Sequence, residues 1–253
     1  MFRTRVIPVL LLENSGLVKG QKFKNHKYIG DPINAVKIFN QKEVDELVFL
    51  DISENNKNKK PDFNLISKIA SEAFMPFSYG GGIKDANHIE KLISIGVEKV
   101  IINTSSFFNE NIIKEAVKIA GSQSVVVSID VKKSLFGKYE VFVGNGRINT
   151  KIDPVTYAKK MQNYGAGELI VCSIDREGTG KGYDIKLLEI VTNSVDIPVV
   201  GLGGAGSIQD LAEVINKIPI SGLAAGNLFV FYGKHRAVLI TYPQYSELEK
   251  FFE

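Results

Sequence analysis

The sequence predicts an α/β fold, a single (β/α)8 (TIM) barrel over residues 1–253 made of two similar half-barrels. Three observations carry this. Eight short apolar runs recur along the chain, and amphipathic stretches of roughly ten to fifteen residues separate them. The length is close to the ~250 residues that such barrels typically need. The second half of the chain repeats features of the first.

In order, the expected strands are Val6 to Leu12, Glu46 to Leu50, Pro76 to Tyr79, Lys99 to Ile102, Ser124 to Ile129, Leu169 to Cys172, Pro198 to Gly201 and Gly222 to Ala225. Each is a short apolar run of the kind that a strand buried on both faces requires. The helices expected between them are Pro32 to Phe39, Asn64 to Ala73, Ala86 to Ile95, Glu110 to Ala120, Pro154 to Tyr164, Ile185 to Thr192 and Ile208 to Ile215, with a last one near Tyr245. Two segments interrupt the rhythm. Asn14 to Asp31, rich in Gly and Lys, reads as a long loop, a mobile lid in which Lys19 brings a positive charge to a phosphate or the reacting centre; a solvated loop lysine is the alternative. Lys132 to Thr150 contains Phe136 to Gly144, whose alternation predicts a small hairpin on the top face. Asn55 to Lys60 is a solvated loop rather than a binding patch.

Hydrophobic residues make up 44% of the chain and charged residues 23%, enough to bury a sizeable core. No apolar run reaches the ~18 residues of a membrane span, and Met1 to Arg5 run into the first strand without a signal-peptide pattern. A cytoplasmic enzyme without membrane contact is expected. Cys172, the only cysteine, sits in an apolar run and reads as a small buried hydrophobe. His26, His88 and His235 have no metal-ligand spacing, so neither a metal nor a cofactor is expected. A net charge of +3 without basic stripes speaks against a nucleic-acid partner.

Glu46-Leu47-Val48-Phe49 recurs as Glu168-Leu169-Ile170-Val171, and Gly81-Gly82 as Gly203-Gly204, both 122 positions on. Asn103-Thr104 falls opposite Ala225-Gly226 at the same offset. Glycines at the carboxyl ends of barrel strands let backbone N–H groups approach an anion. The loops at Gly80 to Ile83 and Asn103 to Ser105 would form one phosphate grip. Those at Gly201 to Ser207 and Ala225 to Asn227 would form a second, so the expected ligand is a small molecule with two phosphates. The alternative is that the glycines only permit tight strand-to-helix turns.

Over nearly its whole length the chain resembles the cyclase subunit of imidazole glycerol phosphate synthase. The resemblance rests on Arg5-Val6-Ile7-Pro8, Val18-Lys19-Gly20, Asp45 to Asp51, Gly80-Gly81-Gly82-Ile83, Lys99 with Asn103-Thr104, Ile129-Asp130 and Asp175-Arg176-Glu177-Gly178-Thr179. The related barrel isomerase of histidine synthesis fits the Lys19 and Asp175 to Asp184 segments less well. The resemblance implies a subunit that takes ammonia from a glutaminase partner, forming a heterodimer with it. With that ammonia it splits and cyclises a bisphosphorylated ribonucleotide, giving imidazole glycerol phosphate and aminoimidazole carboxamide ribonucleotide.

With the glycine loops, the resemblance nominates Asp130 as catalytic and Lys19, Gly82, Asn103, Thr104, Asp175, Thr179, Gly203, Gly204, Ala225 and Gly226 as substrate-binding. The family has a second catalytic aspartate near the end of strand one. Leu11 stands there, and leucine cannot move a proton; Glu13, two residues on, is the nearest substitute. Asp130 is alternatively a structural acceptor tied to backbone N–H groups. Arg5, Glu46, Lys99 and Glu168 each start a strand, so they converge at the amino-terminal face. There the resemblance implies an ammonia gate; a salt-bridge ring that merely closes the floor is the other reading.

Three functions follow. The first is an ammonia-supplying subunit for acetamidino modification of bacterial surface sugars, working with a glutaminase and an ATP-dependent sugar amidotransferase, as the variant branch that the chain resembles does. The second is the authentic lyase and cyclase of histidine biosynthesis. The third is a non-catalytic scaffold that activates the glutaminase.

Overall fold

A computed structural model describes residues 4–53 and 60–252. Eight parallel strands form its barrel: β1 (Arg5–Glu13), β2 (Leu47–Asp51), β3 (Phe77–Gly80), β4 (Lys99–Ile102), β5 (Val125–Lys133), β6 (Glu168–Ser173), β7 (Val199–Leu202) and β8 (Gly222–Ala225). Each pairs with the next, β8 pairs with β1 through Arg5↔Gly222 to Pro8↔Ala225, and β5–β6 pairing completes a closed ring. The expected (β/α)8 barrel is therefore observed, with strand limits shifted by a residue or two except for the longer β5.

Alternation along each strand sorts the core into two layers. Ile7, Val9, Val48, Ile101, Val126, Ile170, Cys172, Val200, Leu202 and Ala224 fill the barrel interior, with Leu11 and Leu50 packed above them. The intervening positions, such as Val6, Leu10 and Leu12 on β1, face the helices. Cys172 is the small buried hydrophobe expected.

The helices are α1 (Pro32–Gln41), α2 (Phe63–Glu72), α3 (Ala86–Ser94), α4 (Asn111–Ala120), α5 (Pro154–Asn163), α6 (Ile185–Thr192), α7 (Ile208–Ile215) and α8 (Tyr245–Phe252). Aspartates explain where five of them start. The Asp31, Asp62, Asp85, Asp153 and Asp184 carboxylates accept from the backbone N–H three residues on, satisfying donors that the first turn leaves unpaired.

The expected lid loop is corrected. Gly16–Gln21 and Lys24–Gly30 form an antiparallel hairpin whose first strand pairs with the end of β1, Leu11 opposite Val18. Lys19 thus lies on a strand and is buried. The top-face hairpin exists, but β5 itself supplies one arm: Asp130 to Lys133 pair with Tyr139–Val143. Two short helices, Thr104–Phe108 and Asn227–Val230, and a strand pair at Phe231–Tyr232 and Ala237–Val238 were not expected. The polar run at 55–60 lies, for 55–59, outside the described residues. No described helix is long and apolar enough to cross a membrane.

Candidate active site

At the carboxyl ends of the strands lies a cavity of about 240 Å³. Asp130, Asn103, Thr104 and Gly82, all nominated from the sequence, line it, and so does Leu11. The remaining wall includes Phe23 and His26 from the Gly16–Gly30 hairpin, Asp51, Glu177, and Asn145 and Arg147 from the loop below the β5 hairpin. That loop is fixed to the mouth: Gly144 N donates to Thr104 Oγ1 at 3.0 Å and Asn145 Nδ2 to Ile52 O at 3.1 Å.

Asp130 is buried, and its hydrogen-bond donors are side chains, not the backbone N–H groups of the alternative, structural reading. Asn103 Nδ2 donates to it at 3.1 Å and Ser128 Oγ at 3.4 Å. Its carboxyl is raised to about 7: burial pushes it up, the Ser128 and Asn103 donors partly oppose the rise, and the Glu177 carboxylate adds to it. A carboxyl so placed can both take and give a proton near neutral pH. Cys172 on β6 pairs in register with Asp130 on β5, and burial holds its thiol protonated.

Lys19 Nζ donates to the Val9 carbonyl at 2.5 Å. Burial lowers its pKa to about 8, opposed by the Glu177 carboxylate. Burial in turn raises Glu177, while Lys19 lowers it. The sequence nominates Asp175 and Thr179 in this loop, whereas the cavity wall holds Glu177. Asp175 accepts from the Lys133 N–H at 2.9 Å, Thr179 Oγ1 donates to the Arg176 carbonyl at 2.7 Å, and neither lines the cavity. Glu13, the nearest substitute for Leu11, is also outside the cavity lining and lies 3.9 Å from His26.

The two expected grips differ in their surroundings. Gly81 (φ +119°) packs so tightly on the end of β2 that a Cβ there would lie 2.4 Å from Asp51 O. Gly203 (φ +99°) packs likewise on Ser173 O, with 2.9 Å to a Cβ. Both loops thus need glycine for backbone geometry, whatever they bind. Gly82 opens on the cavity, whereas Gly203, Gly204, Ala225 and Gly226 are not among its lining residues. At Gly226 the space is filled by Lys19, whose Nζ would lie 2.2 Å from a Cβ.

At the opposite end, the four strand-start charges meet. Glu46 accepts from Arg5 Nη1 at 2.5 Å, Lys99 Nζ at 3.1 Å and Ser78 Oγ at 2.7 Å. Glu168 accepts from Arg5 Nη2 at 2.9 Å and Lys99 Nζ at 3.3 Å. Two cations and two carboxylates form a closed circuit beneath the apolar interior. Phe74, 88% exposed, stands on a helix-to-strand loop of the same end. Among the described residues there is no group of three or more His, Cys, Asp or Glu side chains that could hold a metal.

A family model described as histidine biosynthesis protein matches residues 5–236. The chain is 50% identical over 249 residues to a Pseudomonas aeruginosa protein provisionally named imidazole glycerol phosphate synthase subunit hisF2, covering 98% of this chain and 99% of that one. It is 47% identical over the full length of both chains to a Leptospira interrogans protein provisionally named subunit HisF of the same synthase. A Streptococcus mutans protein, named imidazole glycerol phosphate synthase subunit HisF without qualification, is 36% identical over 234 residues, 92% of this chain and 93% of its own.

Proposed function

Because this chain belongs to the histidine biosynthesis protein family, as a HisF-like cyclase subunit of imidazole glycerol phosphate synthase, we propose that it takes ammonia from a glutaminase at the barrel floor and releases it at the mouth, for acetamidino modification of surface sugars by an ATP-dependent sugar amidotransferase. The observation that carries this reading is Leu11. It lines the same cavity as Asp130, from the opposite side of the barrel, where the family's chemistry calls for a second carboxylate. Losing one positioned acid or base costs about 10²- to 10⁴-fold in rate, or roughly 3 to 5 kcal/mol of barrier. The branching of identities agrees: 50% and 47% to the provisionally named proteins, against 36% to the Streptococcus mutans subunit.

The floor and interior suit passage of a neutral molecule. Arg5, Glu46, Lys99 and Glu168 balance in charge, so the ring opens for ammonia by movement of one side chain, with Lys99 the smaller of the two cations. Above it the apolar layer of Ile7, Val48, Ile101, Val126, Ile170 and Val200 disfavours ammonium strongly and ammonia weakly. The exposed Phe74 at the same end of the barrel supplies an apolar anchor for the glutaminase. At the mouth, Gly82, Asn103, Thr104 and Arg147 form the grip for one phosphate. Gly203, Gly204, Ala225 and Gly226 form the second once Lys19 turns from the Val9 carbonyl toward the anion, with Asp175 and Thr179 bracing its loop from outside. The matching contacts of Gly81 with Asp51 and of Gly203 with Ser173, again 122 positions apart, support descent of the 1–253 barrel from a doubled half-barrel.

Glu177 favours a second reading, the histidine-pathway reaction itself. Its carboxyl lines the same cavity as Asp130 and could move the second proton. Deleting the chain from its source cells separates the readings. Loss of acetamidino groups from surface sugars, with growth independent of added histidine, supports the first. Histidine auxotrophy with unchanged sugars refutes it.

A further inference from the structure

The hairpin that continues β5 carries the two most exposed large apolar side chains among the described residues, Leu135 at 102% and Phe136 at 92%. They are held out on a defined turn. Ser134 N donates to Lys138 O at 2.8 Å, Gly137 N to Ser134 O at 2.9 Å, and Lys138 N to Ser134 Oγ at 3.2 Å. The turn caps a ladder in which Lys132 faces Glu140 and Lys133 faces Tyr139. Lys133 is braced further by Tyr139, 4.8 Å from its Nζ, and by Asp184 at 3.4 Å. Exposing a Leu–Phe pair on such a stiff support works against solubility unless something covers it. Exposed Lys132, Lys133 and Lys138 surround it.

The base of this hairpin is the mouth: Asp130 lies on one arm, and the other arm runs into Asn145 and Arg147 of the cavity wall. Whatever holds the tip therefore stands beside the opening. We propose that Leu135 and Phe136 dock the enzyme that consumes the ammonia, inserting into an apolar socket rimmed by acidic side chains. The inference rests on the reading that ammonia leaves by the mouth. Ammonia released into water is protonated and lost as a nucleophile, so its consumer must sit against the opening. The lysine collar selects an acidic rim and speeds encounter, and aromatic side chains such as Phe136 are enriched in the buried centre of such contacts.

The test uses the complete chain with its glutaminase, added to extract of source cells deleted for this chain, and follows amidation of the sugar driven by glutamine or by ammonium chloride. The double variant Leu135→Ser with Phe136→Ser is expected to lower the glutamine-driven rate at least tenfold. The ammonium-driven rate and glutaminase stimulation should stay unchanged. Lys132→Glu with Lys138→Glu, which keeps the apolar pair, should also lower the glutamine-driven rate and make the remainder less sensitive to salt. Glutamine-driven rates equal to the parent's in both variants overturn the docking inference and leave the ammonia-supplying reading standing. No glutamine-driven amidation with the parent chain overturns both. Binding of the parent to vesicles of phosphatidylcholine and phosphatidylglycerol, lost in the serine variant while amidation is unchanged, would assign the tip to a lipid surface instead.

Discussion

Replacing Asp130 by Asn should stabilise the protein above neutral pH. The native carboxyl titrates at about 7 against an ordinary 3.8, chiefly because burial disfavours its charge. Between pH 4 and 7 the native state therefore keeps a proton that the unfolded chain has released. Stability falls as pH rises through that window, by about 1.4 kcal/mol per pH unit, and levels off above 7. About three units amount to ~4 kcal/mol. Asparagine carries no charge, can still accept from Asn103 Nδ2, and can donate to Ser128 Oγ, so it escapes the loss. Urea unfolding of both proteins at pH 4.5, 6 and 8, followed by far-ultraviolet circular dichroism, should show a gap near zero at the lowest pH, growing to several kcal/mol in favour of the variant at pH 8. A variant that is less stable by the same amount at every pH would refute the reasoning. Asp130 would then be a structural acceptor, and its placement in the mouth would say nothing of proton transfer.

Other consequences are as direct. Gly81→Ala forces a left-handed φ of +119° on a side chain whose Cβ meets Asp51 O at 2.4 Å, whereas Gly137, φ +78°, has nothing within 4 Å; thermal unfolding should show roughly 2–4 kcal/mol lost at Gly81 and ~1 at Gly137. Glu46→Ala leaves Arg5 and Lys99 with one carboxylate and Ser78 without its acceptor; since both cations keep some solvent contact, a loss of about 2–3 kcal/mol is expected in urea unfolding, together with weaker coupling of glutaminase activity to ligand. Inorganic phosphate binding, measured by calorimetry, should weaken as pH rises through 8, where Lys19 loses its proton, and Lys19→Met should abolish that pH dependence.

The barrel was legible because its strands are buried on both faces and so read as continuous apolar runs. The strand starts then fixed which charges, Arg5, Glu46, Lys99 and Glu168, share the floor. The Gly16–Gly30 hairpin was hidden because one arm, Lys24 to Gly30, is mostly exposed and carries Lys24, Asn25, His26 and Lys27 where an apolar alternation would have announced a strand. Helices of four or five residues, Thr104–Phe108 and Asn227–Val230, are too short to show a period. Choosing between Asp175 and Glu177 needed the path of the loop, which Gly178 (φ +71°) sets by packing on the Gly20 carbonyl of the unforeseen hairpin. The signal for Glu177 was present in Asp175-Arg176-Glu177-Gly178-Thr179; its direction was not.

Imidazole glycerol phosphate formation by the purified chain with its glutaminase, from the bisphosphorylated nucleotide and either glutamine or ammonium, bears most directly on the separation of ammonia delivery from cyclisation. With Leu11 at the mouth the rate should be at least 10²-fold below that of a histidine-pathway synthase, and Leu11→Asp should raise it. Turnover at the ordinary rate of that synthase, unchanged or lowered by Leu11→Asp, would contradict the account.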